Sequence, residues 1–258
     1  MNYQEFKKTY FKTLTSRMAE LGFIKGKNDT PIYWRFPCDD QRLVWVIAFS
    51  FSARGNPYFN ILIGPYWMGY QLSSGDSFPR CVGFSRHLCA GGIDAGSTSW
   101  TAAESQFERA IDTIARHGIT FLGQYDSPQS LLAKQPRGIL AFDLGEYELA
   151  GELLFRELTD LYIADYSLSA CSRVGQLMHK EELQRTEALF NETAKFLSKE
   201  SETNQRLLLA KGAAAIRMIN TLRNHLKRDP KSRWLKSTLK TCETQVLASG
   251  LLIPKPVP

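Results

Sequence analysis

The sequence predicts an α+β fold: an N-terminal antiparallel sheet with helices packed on one face, followed by an all-α C-terminal bundle. Three observations predict it. Two runs rich in β-branched and aromatic residues, 42–52 and 58–64, flank Ala53-Arg54-Gly55-Asn56-Pro57 and read as a β-hairpin. A one-sided apolar stripe at helical spacing (Tyr3, Phe6, Tyr10, Leu14, Met18, Leu21) precedes them. Beyond Gln135-Pro136-Arg137-Gly138, every periodic segment is helical. That turn predicts a boundary between an α+β domain, residues 1–135, and a helical domain, residues 136–258.

In chain order, the first helix covers about residues 2–21 and meets a C-cap at Gly22. Ile32-Tyr33-Trp34-Arg35-Phe36 alternates like a strand, Pro37 ends it, and Asp39-Asp40 turn the chain into the hairpin. Within the first hairpin run, Leu43, Trp45, Ile47 and Phe49 alternate with Val44, Val46, Ala48 and Ser50. Its first half is apolar on both faces, which predicts a strand covered on both sides near the middle of the sheet. Gly64-Pro65 then breaks the pattern, placing Tyr66, Trp67, Met68 and Tyr70 in a loop. Residues 81–88 read as one further strand and 91–98 as a Gly/Ser-rich loop.

Thr101-Ala102-Ala103-Glu104 is a capping box opening a second helix, which Gly118 closes; Ile119 to Leu122 reads as a short apolar link. Ser127-Pro128 is an N-cap followed by proline at the first helical position. Four helices follow, over about 144–164, 180–199, 203–228 and 231–249. The stripe of the third is Leu208, Ala215, Ile219, Leu222 and Leu226; that of the fourth is Leu235, Leu239, Cys242 and Val246. The tail from Pro254 is expected to fray.

Composition bounds the function. Hydrophobic residues at 43% supply a packed core, and no apolar run approaches the roughly 20 residues that span a bilayer. The N-terminus has no apolar signal region, so no secretion and no membrane are expected. Five widely spaced cysteines read as reduced thiols, which points to the cytoplasm. Charge is unevenly placed. Residues 1–135 carry 14 Lys+Arg against 11 Asp+Glu, residues 136–202 carry 7 against 13, and residues 203–258 carry 11 against 2. The net charge of +6 therefore comes from the last fifth of the chain. Two readings follow: the acidic and basic helices face each other, or, more sharply, an electropositive surface steers an acidic partner.

The first 135 residues resemble a bacterial family, the domain of unknown function 4304. The resemblance lies in the opening helix ending at Leu21-Gly22-Phe23, in Trp45-Val46-Ile47 with Phe59-Asn60-Ile61, and in Gly118-Ile119 with Tyr125-Asp126-Ser127-Pro128. Members of this kind often sit beside toxin genes. The resemblance thus implies a binding role, of the immunity type that neutralises a toxin partner. It transfers no functional residue and does not extend to residues 136–258.

No catalytic signature stands out. Gly91-x-x-x-x-Gly96-Ser97-Thr98 has the glycine spacing of a phosphate loop but carries Ser97 where the lysine belongs. Cys81, His87 and Cys89, with Cys38, are zinc-type ligands, yet no C-x-x-C pair is present. Cys89 and His87 are the sole Cys/His pair close in sequence, and no orienting group is evident. No cofactor is implied. Two candidate partner surfaces follow. One is Tyr66, Trp67, Met68 and Tyr70, residue types that anchor protein interfaces. The other is Arg206, Arg217 and Arg228, which fall within about 40° on one side of their helix. The expected function is a non-enzymatic cytoplasmic protein that binds an acidic protein partner. The alternative is a nucleic-acid-associated protein using the basic C-terminal helices, in which the cations lack interleaved exposed aromatics.

Overall fold

The computed structural model describes residues 3–26, 31–51, 58–68, 82–83, 86–87, 93–94, 108–167 and 173–255. The chain divides into two compact units, Met1–Pro136 and Arg137–Pro258. The architecture is α+β: an antiparallel sheet in the first unit and, among the described residues, helices without strands in the second.

The first unit opens with α1 (Tyr3–Glu20). It stops as its sequence demands. Gly22 takes φ +79°, the Phe23 N–H reaches the Met18 carbonyl at 2.9 Å, and the Gly22 N–H reaches that of Ala19 at 2.9 Å. Only glycine adopts that left-handed cap without a Cβ penalty. Strands β1 (Ile24–Lys25), β2 (Ile32–Arg35), β3 (Leu43–Phe51) and β4 (Tyr58–Trp67) then form an antiparallel meander in that order. Tyr33 stands opposite Ile47, Phe49 opposite Ile61, and Leu43 opposite Trp67. Val44, Val46 and Ala48 are buried on one face of β3, and Leu43, Trp45, Ile47 and Phe49 on the other. β3 is the interior strand that its unbroken apolar run predicts.

Three two-residue strands, β5 (Val82–Gly83), β6 (Arg86–His87) and β7 (Ile93–Asp94), pair with the far edge of β4. Of the single strand expected over 81–88, residues 82–83 and 86–87 pair with β4 in one continuous register, and 84–85 lie outside the described residues; part of the expected 91–98 loop is paired. Helix α2, described over residues 108–113, continues through a π-helical turn (Ile114–Gly118) into α3 (Ile119–Leu122). Gly118 therefore does not end the helix; its φ is −64°, and packing of Ile119, Phe121 and Leu122 carries the chain on to Gly123. Ala110, Ile111, Ile114 and Leu122 join Tyr10, Leu14 and Met18 of α1 in one core against Trp45, Ile47, Phe49, Ile61 and Ile63. Both helices thus lie on one sheet face. The Trp45 Nε1–H donates to the Tyr125 carbonyl at 2.8 Å and pins the next turn to the sheet. From there α4 (Pro128–Lys134) starts as its cap predicts: Ser127 Oγ accepts the Ser130 N–H, and Ser130 Oγ accepts the Ser127 N–H, each at 3.2 Å.

The second unit is α5 (Gly138–Asp143), α6 (Tyr147–Ser167), α7 (Arg173–Phe196), α8 (Glu200–Arg228) and α9 (Arg233–Ala248). α5 is a helix that the sequence pattern does not reveal, because its six residues are too few for a periodic stripe. Helix α6 packs on α5, α7 and α8, and α8 packs on α9. α8 is therefore apolar on two sides. Ala215, Ile219 and Leu222 share a core with Leu235, Cys242 and Val246 of α9. Thr203, Ala210 and Ala214 are buried at other angles around the helix. α9 ends beside Gly212, where an added Cβ would stand 2.6 Å from Ser249 Cβ. Leu208, one turn earlier on the same stripe, is consequently 45% exposed instead of buried. The buried threonines 159, 186, 193 and 203 each donate to the carbonyl four residues back, so none needs a partner on another helix. After Gly250 (φ +73°) the tail folds back: Leu251 and Ile253 pack on the α8/α9 core, and Arg223 Nη1 donates to the Pro254 carbonyl at 2.6 Å. The tail expected to fray is held at Pro254, and residues 256–258 lie outside the described residues.

Candidate functional site

Of the aromatic segment after the hairpin, Tyr66 and Trp67 lie in a strand, not a loop, and Met68 begins a turn. β4 runs through Gly64 and Pro65 to Trp67. Pro65 stands opposite Trp45, between the residues of β4 that pair with β5 (66–67) and β6 (62–63), so no described residue needs its missing N–H. Period-2 alternation then separates the four candidates. Trp67 shares a face with its partner Leu43 and is fully buried. The Arg42 guanidinium covers its ring at 4.7 Å from the centroid. A side chain so enclosed offers no area to a partner, and Trp67 is withdrawn as an interface anchor. Tyr66 points to the other face and is half-buried. Met68, also half-buried, is tied by its N–H to the Arg42 carbonyl at 2.6 Å. Tyr70 lies outside the described residues.

Arg42 itself is held by Asp40. The carboxylate accepts the Arg42 backbone N–H at 3.0 Å, Nε–H at 3.0 Å and Nη2–H at 2.8 Å. Those bonds hold the Asp40 carboxyl below the usual aspartate range. The acidic pair Asp39-Asp40 thus builds a turn.

Arg206, Arg217 and Arg228 share a sector of α8 but not an environment. α8 is 29 residues, about 43 Å long, and its neighbours change along it. Arg206 bonds Glu202 at 2.8 Å at the rim of a cleft of about 250 Å³ between the ends of α6, α7 and α8. Glu148, Glu152, Lys199 and Glu202 line it over a floor of Phe190, Ala194 and Leu197. Arg217 meets Asp160 of α6 at 3.6 Å in an exposed pair. Arg228 alone of the three is exposed without a described ion-pair partner. A single sector around a long helix does not make a single surface. Within the bundle, Tyr162 of α6 donates its hydroxyl to Glu187 of α7, and Lys211 of α8 sits 3.6 Å from Glu187 and 5.2 Å from the Tyr162 ring centroid. The acidic and basic segments are thus partly matched inside the bundle.

The unmatched charge collects at the other end of the α8–α9 hairpin. Lys227, Arg228, Lys231, Arg233, Lys236 and Lys240 are all exposed, and no described residue forms an ion pair with any of them. Of the two acids in this stretch, Asp229 lies in the connecting turn and Glu243 sits against Arg223 at 3.4 Å. On α9, Arg233, Lys236 and Lys240 fall within about 60°, opposite the buried stripe Leu235, Cys242 and Val246. Trp234 sits on the exposed side too, 48% accessible. Its turn is fixed: Ser232 Oγ accepts the Leu235 N–H at 3.3 Å, and Thr238 donates to the Trp234 carbonyl at 3.0 Å. The sequence carried this signal, since Trp234 lies about 100° from Leu235 and off the apolar stripe.

Of the zinc-type set, Cys81 and Cys89 lie outside the described residues, as does the side chain of His87. Among the described residues, no group of three or more His, Cys, Asp or Glu is placed to hold a metal ion. No helix of the described residues is long and apolar enough to cross a membrane. No family model, curated protein or solved structure matches the chain.

Proposed function

We propose that the protein is a non-enzymatic, cytoplasmic nucleic-acid-binding protein whose contact surface is the basic end of the α8–α9 hairpin. One observation carries the proposal: an exposed tryptophan, Trp234, stands within about 120° of Arg233 and Lys240 around α9, with Lys236 beyond them on the far side of the cations. Cations alone suit any polyanion, including an acidic protein. Cations beside an exposed aromatic suit one that carries bases as well as phosphates. The protein-binding reading loses its main residue with the burial of Trp67. An immunity-type acidic partner would need the cations and gain little from the indole.

Fluorescence anisotropy with labelled DNA and RNA oligonucleotides tests this, with a poly-glutamate peptide as the acidic-protein surrogate. Oligonucleotide binding should weaken by about three log units of K per log unit of salt if four or five phosphates are engaged. Reversing Arg233, Lys236 and Lys240 to Glu should abolish it with no change in melting temperature. Arg206→Glu should have no effect on it, since Arg206 already bonds Glu202. Tight binding of poly-glutamate with none of the oligonucleotides would overturn the proposal in favour of an acidic protein.

A further inference from the structure

We infer that Trp234 is a stacking platform for an unpaired base, so that the nucleic acid recognised is single-stranded. This rests on the nucleic-acid reading of the α9 face and narrows it.

The placement of the indole carries the argument. α9 buries Leu235, Cys242 and Val246 against α8 and needs no further apolar anchor. Trp234 is off that stripe and half in water. It stands in the first turn of the helix, where the Ser232 cap and the Thr238 bond hold the backbone still. A ring presented from a fixed turn loses little entropy when a base settles on it.

The surroundings favour a strand over a small ligand. Going round the exposed side of α9 from Trp234, one meets Thr241, Ser237, and then Arg233 and Lys240, over about 120° of arc. The two threonines on this side turn their hydroxyls inward, Thr241 to the Ser237 carbonyl at 3.1 Å and Thr244 to that of Lys240 at 2.9 Å. No carboxylate interrupts the arc. A strand crossing it sets its phosphates on the cations and a base on the indole.

Double-stranded nucleic acid cannot use the site in the same way. Its bases are stacked on each other and expose only their edges in the grooves. A duplex would engage the cations and leave the indole idle. Single strands offer a free π-face at every nucleotide, and stacking on an aromatic side chain tolerates any sequence.

The test compares oligo-dT and oligo-U of about 20 nucleotides with a DNA duplex of equal length, using wild-type protein, Trp234→Ala and Trp234→Phe. The single strands should bind at least tenfold more tightly than the duplex. Trp234→Ala should weaken single-strand binding by about tenfold or more and leave duplex binding unchanged, and Trp234→Phe should recover most of the loss. Quenching of indole fluorescence should accompany binding of the single strands and be weaker in Trp234→Ala. Because the residue is exposed, the variants should keep the wild-type melting temperature. Equal affinity for duplex and single strand, with Trp234→Ala neutral for both, would overturn the stacking inference and leave the nucleic-acid reading standing. No binding of any oligonucleotide at low salt would overturn both.

Discussion

The α-carbon of Gly138 lies so close to Leu154 that a methyl group there would stand 2.6 Å from Leu154 Cδ2 and 3.0 Å from its backbone nitrogen. The same glycine donates its N–H to Glu157 Oε1 at 3.0 Å. One residue thus docks α5 onto α6 twice, through a missing side chain and through a backbone bond. The close approach needs the space, not an unusual conformation.

Gly138→Ala should therefore destabilise the protein, although alanine ordinarily favours a helix. A new contact shorter than 3.0 Å must be relieved by moving Leu154 or the helix itself, and overpacking of this kind costs about 1–3 kcal/mol. Urea unfolding followed by circular dichroism measures it. Leu154→Ala should lose most of its own cost in the Gly138→Ala background, because the cavity of one variant receives the methyl of the other.

Glu157 predicts a pH dependence of definite sign. Burial pushes its carboxyl above the ordinary value of 4.5; the Gly138 N–H and Arg137 counteract this, while Glu182 and Asp160 add to it. The folded state therefore binds the proton more tightly than the unfolded state. The stability that this contributes is complete below pH 4.5 and is lost as pH rises through the folded value. Glu157→Gln keeps an acceptor for Gly138 and removes the charge. Its stability relative to wild type should rise between pH 4.5 and 7, as read from melting temperatures across that range. Asp40 acts in the opposite sense: its lowered carboxyl contributes stability above the ordinary 3.8, lost as pH falls. Asp40→Asn should flatten only the acid side of the profile. A wild-type profile flat above pH 4.5 would contradict the role given to Glu157.

Trp67→Ala should cost about 3–5 kcal/mol of stability, the range for truncating a fully buried aromatic. It also removes the ring under Arg42 and so loosens the Asp40 turn. A melting temperature within a few degrees of wild type would mean that Trp67 is not in the core.

Local chemistry decided a definite part of this protein. Unbroken apolarity from Leu43 to Ala48 marks the covered interior strand, because a strand buried on both faces has no polar face to show. Gly22 and the Ser127-Pro128 pair mark helix ends, because caps are formed by residues adjacent in the chain. The basic excess of residues 203–258 is likewise plain in the sequence. Other features depend on neighbours that sequence spacing does not supply. Pro65 looks like a strand breaker until β3 lies beside it and no described strand needs its N–H. Gly118 looks like a stop until the core claims Ile119 to Leu122. Arg206, Arg217 and Arg228 are equivalent on a helical wheel and differ in the fold, because Glu202 bonds the first, Asp160 meets the second, and no described acid pairs with the third. Trp234 could be read as off its stripe, but its exposure required knowing that nothing described covers that side of α9. Periodicity states which side of an element is apolar; only packing states which sides are occupied, and a binding surface is what packing leaves open.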